Sequence, residues 1–285
     1  MAVFLAIIAL VIWCTLATSI VTLSSISPML ITGLGLLAGG VLGLPWVKWR
    51  SFDKSALLIG AGAMLGYHAI YFISLKMADP VVASLLHYLW PLFIIFLTPV
   101  FLKGSAITAR SLLAGVIGFL GAAICIGSSV GEHVNSWAGY LLALVSALIW
   151  AGYSVWSKKM ADVPVSAVSV YCLVAGFGSI VLSFAFDGWP VFWLQVNKIT
   201  NIQWLIIFYL GLGPLGGAFY LWDYAMKTGS PQKIALIAYA VPVVSTIFMQ
   251  LTLGRELTLP LMLGAVFVTF AVAVGSSAKS ELKRD

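Results

Sequence analysis

The sequence predicts an all-α integral membrane protein of ten transmembrane helices, arranged as two inverted five-helix repeats around a central cavity. Three observations carry this. Hydrophobic residues make up 62% of the chain and charged residues only 8%, where soluble domains hold roughly a quarter charged residues. Apolar runs of membrane-crossing length follow one another almost without loops, a crossing taking about 20 residues at about 1.5 Å of rise each. The second half of the chain also repeats the first.

Taken in order, the first run (2–22) lacks the basic leader of a signal peptide and is long for its apolar core, so a retained helix is expected. The second (28–46) carries the stripe Gly35, Gly39, Gly43, and the third (55–76) carries Gly62 and Gly66. Small residues four apart mark faces where helices approach closely in lipid. The fourth (80–102) contains SLLHYLWPL at 84–92; the fifth, sixth and seventh cover 110–128, 137–157 and 164–186. The eighth (203–226) contains GLGPLGG at 211–217, where Pro214 lacks a backbone donor and permits a kink between Gly213 and Gly217. The ninth (231–253) and tenth (259–278) complete the set. Cys14, Cys125 and Cys172 all fall within runs, which favours small packing residues over a disulfide framework.

The repeat is read by sliding the chain on itself. At an offset of 151, Gly60, Gly62, Gly66, Lys76, Pro80, Tyr88 and Pro91 fall on Gly211, Gly213, Gly217, Lys227, Pro231, Tyr239 and Pro242. At an offset of 137, ALVIW ending at Trp13 falls on SALIW ending at Trp150, and at an offset of 148 GSS at 127–129 falls on GSS at 275–277. The halves are placed at 1–130 and 131–285. Five helices per half is an odd number, so the halves enter the membrane in opposite senses, a signature of transporters.

Charge sets the orientation. Alternating sides place Lys48, Arg50, Lys54, Lys103, Arg110, Lys158, Lys159, Lys227, Lys233, Lys279, Lys283 and Arg284 on one side, and Lys76, Lys198 and Arg255 on the other. By the positive-inside rule the first side is cytoplasmic and holds both termini. The net charge of +6 is thus an orientation signal, and no nucleic-acid partner is expected; the partners are the lipid bilayer and a small-molecule substrate.

The candidate site lies near the middle of the fourth run. Ser84, Tyr88 and Pro91 share a helix face, with His87 and Trp90 beside it. Tyr67, His68 and Tyr71 come from the third run, Ser146, Trp150, Tyr153, Ser154 and Ser157 from the sixth, and Tyr239 beside Pro242 from the ninth. Rings with polar atoms this deep point to a polar-lined cavity or to hydrogen bonds between helices. A cavity of that kind suits aromatic or amphipathic solutes, and Pro91, Pro214, Gly213, Gly217 and Pro242 are candidate hinges. Trp46, Trp49, Trp137, Trp204 and Trp222 read instead as interfacial anchors. Asp223 and Lys227 are four apart, an ion pair or, alternatively, a point of substrate-amine recognition. His68 and His87 are either proton relays or satisfied imidazoles. No cofactor is expected, and nothing resembles an HExxH motif, a carboxylate pair or a Ser/Lys dyad of an intramembrane enzyme. The alternatives are an exporter of broad specificity for drugs and metabolites, which would differ only in substrate, and a passive channel or structural scaffold.

With HYLWP at 87–91 and ALIWAGYSVWSKK at 147–159, the chain resembles the drug/metabolite transporter superfamily with EamA-type repeats, and within it the YddG-type exporters of aromatic amino acids. The resemblance spans essentially the whole chain. It implies a basket of ten helices in the bacterial inner membrane, exporting aromatic amino acids or related amphiphiles, with Tyr67, Tyr71, Tyr88, Trp90 and Trp150 as cavity aromatics. His87 stands where asparagine is expected, so the substrate range is open to change.

Overall fold

The computed structural model describes residues 1–49, 54–78, 80–127, 136–252 and 259–276, and among them there is helix and no strand. The helices are α1 (Ala2–Cys14), α2 (Leu16–Thr22), α3 (Pro28–Gly43), α4 (Lys54–Met77), α5 (Pro80–His87), α6 (Trp90–Phe101), α7 (Ala109–Gly127), α8 (Trp137–Lys159), α9 (Ala167–Asp187), α10 (Trp189–Lys198), α11 (Asn201–Leu212), α12 (Gly217–Thr228), α13 (Pro231–Ala238), α14 (Ala240–Thr252) and α15 (Leu259–Ser276). Seven helical segments among the described residues are long and apolar enough to cross a membrane: Ala2–Ile20, Pro28–Trp46, Lys54–Met77, Trp137–Lys159, Ala167–Asp187, Asn201–Thr228 and Pro231–Thr252. Three shorter apolar helices are Trp90–Phe101, Ala109–Gly121 and Met262–Ala271. Arg50, Arg255, Lys279, Lys283 and Arg284 of the charge pattern lie outside the described residues, as do Ser128, Ser129 and Ser277 of the GSS strings.

The run expected as a single helix at 2–22 divides at Thr15, and those at 80–102, 203–226 and 231–253 are interrupted at prolines. A proline has no N–H for the carbonyl four residues back, and its ring crowds that carbonyl. Four residues before Pro91 is His87, where α5 ends; four before Pro242 is Ala238, where α13 ends. The break before Pro214 is wider. Leu215 N donates to Leu210 O at 2.7 Å and Ala218 N to Gly213 O at 2.9 Å, each one residue longer than an α-helical bond.

One helix was not expected. The connector after α9 turns at Gly188, whose φ of 76° lies in the left-handed region open to glycine, and Pro190 sits in the first turn of α10. Ten residues with Gln195, Asn197 and Lys198 among the aromatics fall short of a crossing. Trp189 and Trp193 stack at 5.6 Å on its exposed face.

The packing partners are α3 with α9, α7 with α15, α4 with α8, α1 with α12, α4 with α9, α3 with α11, and α6 with α8 and α13. The glycine stripe of α3 does what its spacing suggests. A Cβ on Gly39 would lie 2.5 Å from Gly216 Cα and 2.8 Å from Gly211 O, so α3 and the α11–α12 turn touch backbone to backbone. Gly62 and Gly66 differ from expectation: a Cβ on Gly62 meets nothing within 4 Å, and on Gly66 only Ile149 at 3.9 Å. They mark no close contact face among the described residues. Cys14 and Cys172 are free, buried thiols.

Candidate functional site

The rings singled out in the sequence meet where α4, α5, α6 and α8 converge. Trp150 on α8 is the hub: Tyr67 lies 5.0 Å from it, Tyr153 5.6 Å and Trp90 6.4 Å between ring centres. His87, at the end of α5, stacks on Tyr71 at 4.2 Å and lies parallel to Tyr67 at 6.3 Å. Tyr88 stands edge-on to His87 at 6.4 Å. Trp90, Trp150, Tyr153 and His68 are buried, whereas Tyr67, Tyr71, Ser84, His87 and Tyr88 are half-buried.

Several polar atoms of the cluster are paired, as low-dielectric surroundings favour. His68 Nδ1–H donates to Met64 O at 2.8 Å, which leaves Nε2 to accept the Tyr67 hydroxyl at 2.8 Å. Ser146 donates to Ala143 O at 2.7 Å and so accepts from His87 Nδ1–H at 2.8 Å. Tyr71 and Ser84 hydroxyls lie 2.9 Å apart. His68 thus bonds within α4, whereas His87 ties the end of α5 to α8.

Three rings of the second half and the first helix complete the group. Phe219 and Trp222, on one face of α12, lie 5.6 Å and 6.1 Å from Trp150, and Trp13 on α1 lies 5.7 Å from it. Trp222 is fully buried and donates from Nε1 to Ser154 Oγ at 3.0 Å; its reading as an interfacial anchor is therefore corrected. The other four tryptophans of that reading, Trp46, Trp49, Trp137 and Trp204, are exposed. The signal for Trp13 was its repeat match to Trp150, and for Phe219 and Trp222 their i, i+3 spacing next to Asp223.

Trp13 also satisfies a carbonyl at the proline break. Its Nε1 donates to Pro214 O at 2.8 Å, occupying a carbonyl released where the helix opens between Gly213 and Gly217. Trp13→Phe keeps the ring and removes that donor; an expected loss of about 1–2 kcal/mol would appear as a lower melting temperature in detergent, with transport less affected.

Tyr239 does not join the cluster. It is buried in a separate small group with Val243 and Val268, its ring against Gly118 of α7. Pro242 and Pro91 are buried beside their breaks.

Asp223 and Lys227 form the expected ion pair at 2.6 Å, but not at a surface: their side chains are only 2% and 6% exposed. Ser157 donates to Asp223 Oδ1 at 2.5 Å, with the Tyr153 hydroxyl 3.5 Å from the same oxygen. Lys227 Nζ also donates to Val163 O at 2.8 Å, and Lys158 Nζ to Lys227 O at 2.7 Å. α8 and α12 are thus joined by polar bonds at one end. Lys227, though in the last turn of α12, is bonded to the chain that follows α8 at Val163.

Comparison with known proteins agrees with this architecture. A model of the EamA-like transporter family matches residues 1–127 and 137–276. The chain is 33% identical to the aromatic amino acid exporter YddG of Ancylobacter novellus, over 96% of this chain and 94% of that protein. It is 25% identical to the aromatic amino acid exporter YddG of Escherichia coli, over 82% of this chain and 80% of that one. A solved crystal structure superposes with a TM-score of 0.84 at 30% identity, covering 96% of each chain.

Proposed function

Because the chain belongs to the EamA-like transporter family, we propose that it exports aromatic amino acids, or related amphipathic metabolites, across the bacterial inner membrane by alternating access. The observation that carries this reading is the ring cluster: six aromatic side chains from five helices pack around Trp150, and the half-buried Tyr67, Tyr71 and His87 beside them present flat faces next to hydroxyls. Ring faces with a few fixed donors and acceptors bind a planar, amphipathic solute. The relatives' names point to the same class of solute.

Ten crossings in two inverted halves, with both termini cytoplasmic, form part of the proposal. The packing supports it. Exchanging each helix with its counterpart in the other half turns the α1–α12 contact into the α8–α4 contact and the α3–α11 contact into the α9–α4 contact, and leaves α3–α9 and α7–α15 as they are. The two matched stretches of the family model, divided between 127 and 137, support the same division.

Alternating access draws on one departure from that symmetry. α12 packs on α8, whereas the counterpart pair α4 and α1 is not among the packed pairs. The helix broken at 213–216 has the unbroken α4 as its counterpart. In the opposite state the roles exchange, and α4 bends near Gly62. Gly62→Ala fits the present state without contact and raises helix stability by up to about 1 kcal/mol. The expected outcome is a lower exchange rate at unchanged or higher thermal stability. An unaltered rate removes the bend.

The test of function is uptake of labelled phenylalanine, tyrosine and tryptophan by proteoliposomes, with aliphatic amino acids as controls. Saturable uptake confined to the aromatic set is expected.

A further inference from the structure

An ion pair buried in a membrane protein calls for a reason. Removing two charges from water costs several kcal/mol per ion, and apolar replacements are often neutral or stabilising. The repeat-related positions in the first half hold Phe72 and Lys76, so that half carries no such pair, and Lys76 is exposed.

The pair also adjoins the rings. Tyr153 stacks on Trp150 at 5.6 Å while its hydroxyl reaches Asp223, and Trp222 precedes Asp223 in the chain. The two carboxylate oxygens differ: Oδ1 is anchored by Ser157 and Tyr153, whereas Oδ2 faces Lys227 alone among the described residues.

We infer that Asp223 and Lys227 are the headgroup subsite for a zwitterionic α-amino acid. The α-ammonium takes the place of Lys227 on Asp223 Oδ2, and the freed Lys227 ammonium takes the α-carboxylate. One ion pair becomes two, and the site stays neutral throughout. A single methylene separates the charged head of an aromatic amino acid from its ring, so head and ring must be read by adjacent groups, here the pair and the Trp150 cluster. Lys227 leaves Asp223 in this exchange, which loosens the polar bonds joining α8 to α12 at the moment of binding. Binding of the correct head is thereby tied to opening at that end.

Charge balance makes the inference testable. Phenethylamine lacks the carboxylate and would strand a positive charge; 3-phenylpropanoate lacks the ammonium and would strand a negative one. The assignment rests on the proposed export of aromatic amino acids, and the experiment separates the two. In wild-type proteoliposomes, phenylalanine should be preferred over both analogues by roughly 30-fold or more, a buried polar site rejecting ligands that leave its groups unpaired. Asp223→Asn with Lys227→Gln removes both charges and leaves no lone buried ion; this double variant should lose the preference, with the three compounds within about threefold of one another. Asp223→Glu, which keeps the charge and moves it, serves where the double variant does not accumulate, and should narrow the preference as well. Equal handling of the three compounds by the wild type overturns the subsite alone, as does a variant that folds and retains the full preference. No transport of any of them overturns the proposed function and the subsite together.

Discussion

Replacing Trp150 by leucine is expected to lower transport of an aromatic amino acid by roughly 30- to 150-fold, two or three lost ring contacts being worth about 1 kcal/mol each. Trp150 is the common neighbour of Trp13, Tyr67, Trp90, Tyr153, Phe219 and Trp222. It packs against Tyr67, which lies on the half-buried side of the cluster. Leucine supplies apolar volume but no plane, whereas Trp150→Phe keeps a plane and should retain most of the activity. Leucine also leaves a partial void, so thermal stability must be measured on the same preparations. The account requires that phenylalanine restore transport more completely than it restores stability. Equal transport by the leucine variant at normal abundance would remove Trp150 from the site.

Gly39→Val is expected to prevent accumulation of folded protein, the cost being about 3 kcal/mol or more. The added Cβ would strike Gly216 Cα and Gly211 O, both backbone atoms of the turn that carries Pro214. Neither can rotate aside as a flexible side chain would. Parting α3 from that turn would also pull Pro214 O away from the Trp13 indole. Size-exclusion profiles of detergent extracts check this, with Gly62→Val as the control, since Gly62 has open space around it. A normal monodisperse peak for Gly39→Val would mean that the α3 contact is looser than described.

Much of this arrangement was legible in the chain, for identifiable reasons. Apolar runs set where helices lie, because length and hydropathy are local properties. The interruptions at His87 and Ala238 follow from Pro91 and Pro242, a covalent effect at fixed spacing. What the chain concealed depends on tertiary neighbours. Trp222 looks interfacial by its place near a helix end, and is buried because Ser154 of α8 receives its N–H. Tyr239 occupies the repeat position of Tyr88, yet packs on Gly118 instead of the central rings. Spacing gives the Asp223–Lys227 pair but not its burial, which needs Ser157, Tyr153 and Val163 from elsewhere in the chain. The helix α10 escaped notice because ten mixed residues satisfy no membrane-crossing pattern.

Counter-flow in proteoliposomes tests the central claim most directly, that rings gathered on Trp150 form a carrier site for aromatic amino acids reached alternately from each side. Vesicles preloaded with unlabelled phenylalanine should take up external labelled phenylalanine faster than empty vesicles, with a transient overshoot. Entry that is linear with concentration and indifferent to the internal load would instead describe a channel, and absence of entry would leave the ring cluster without its solute.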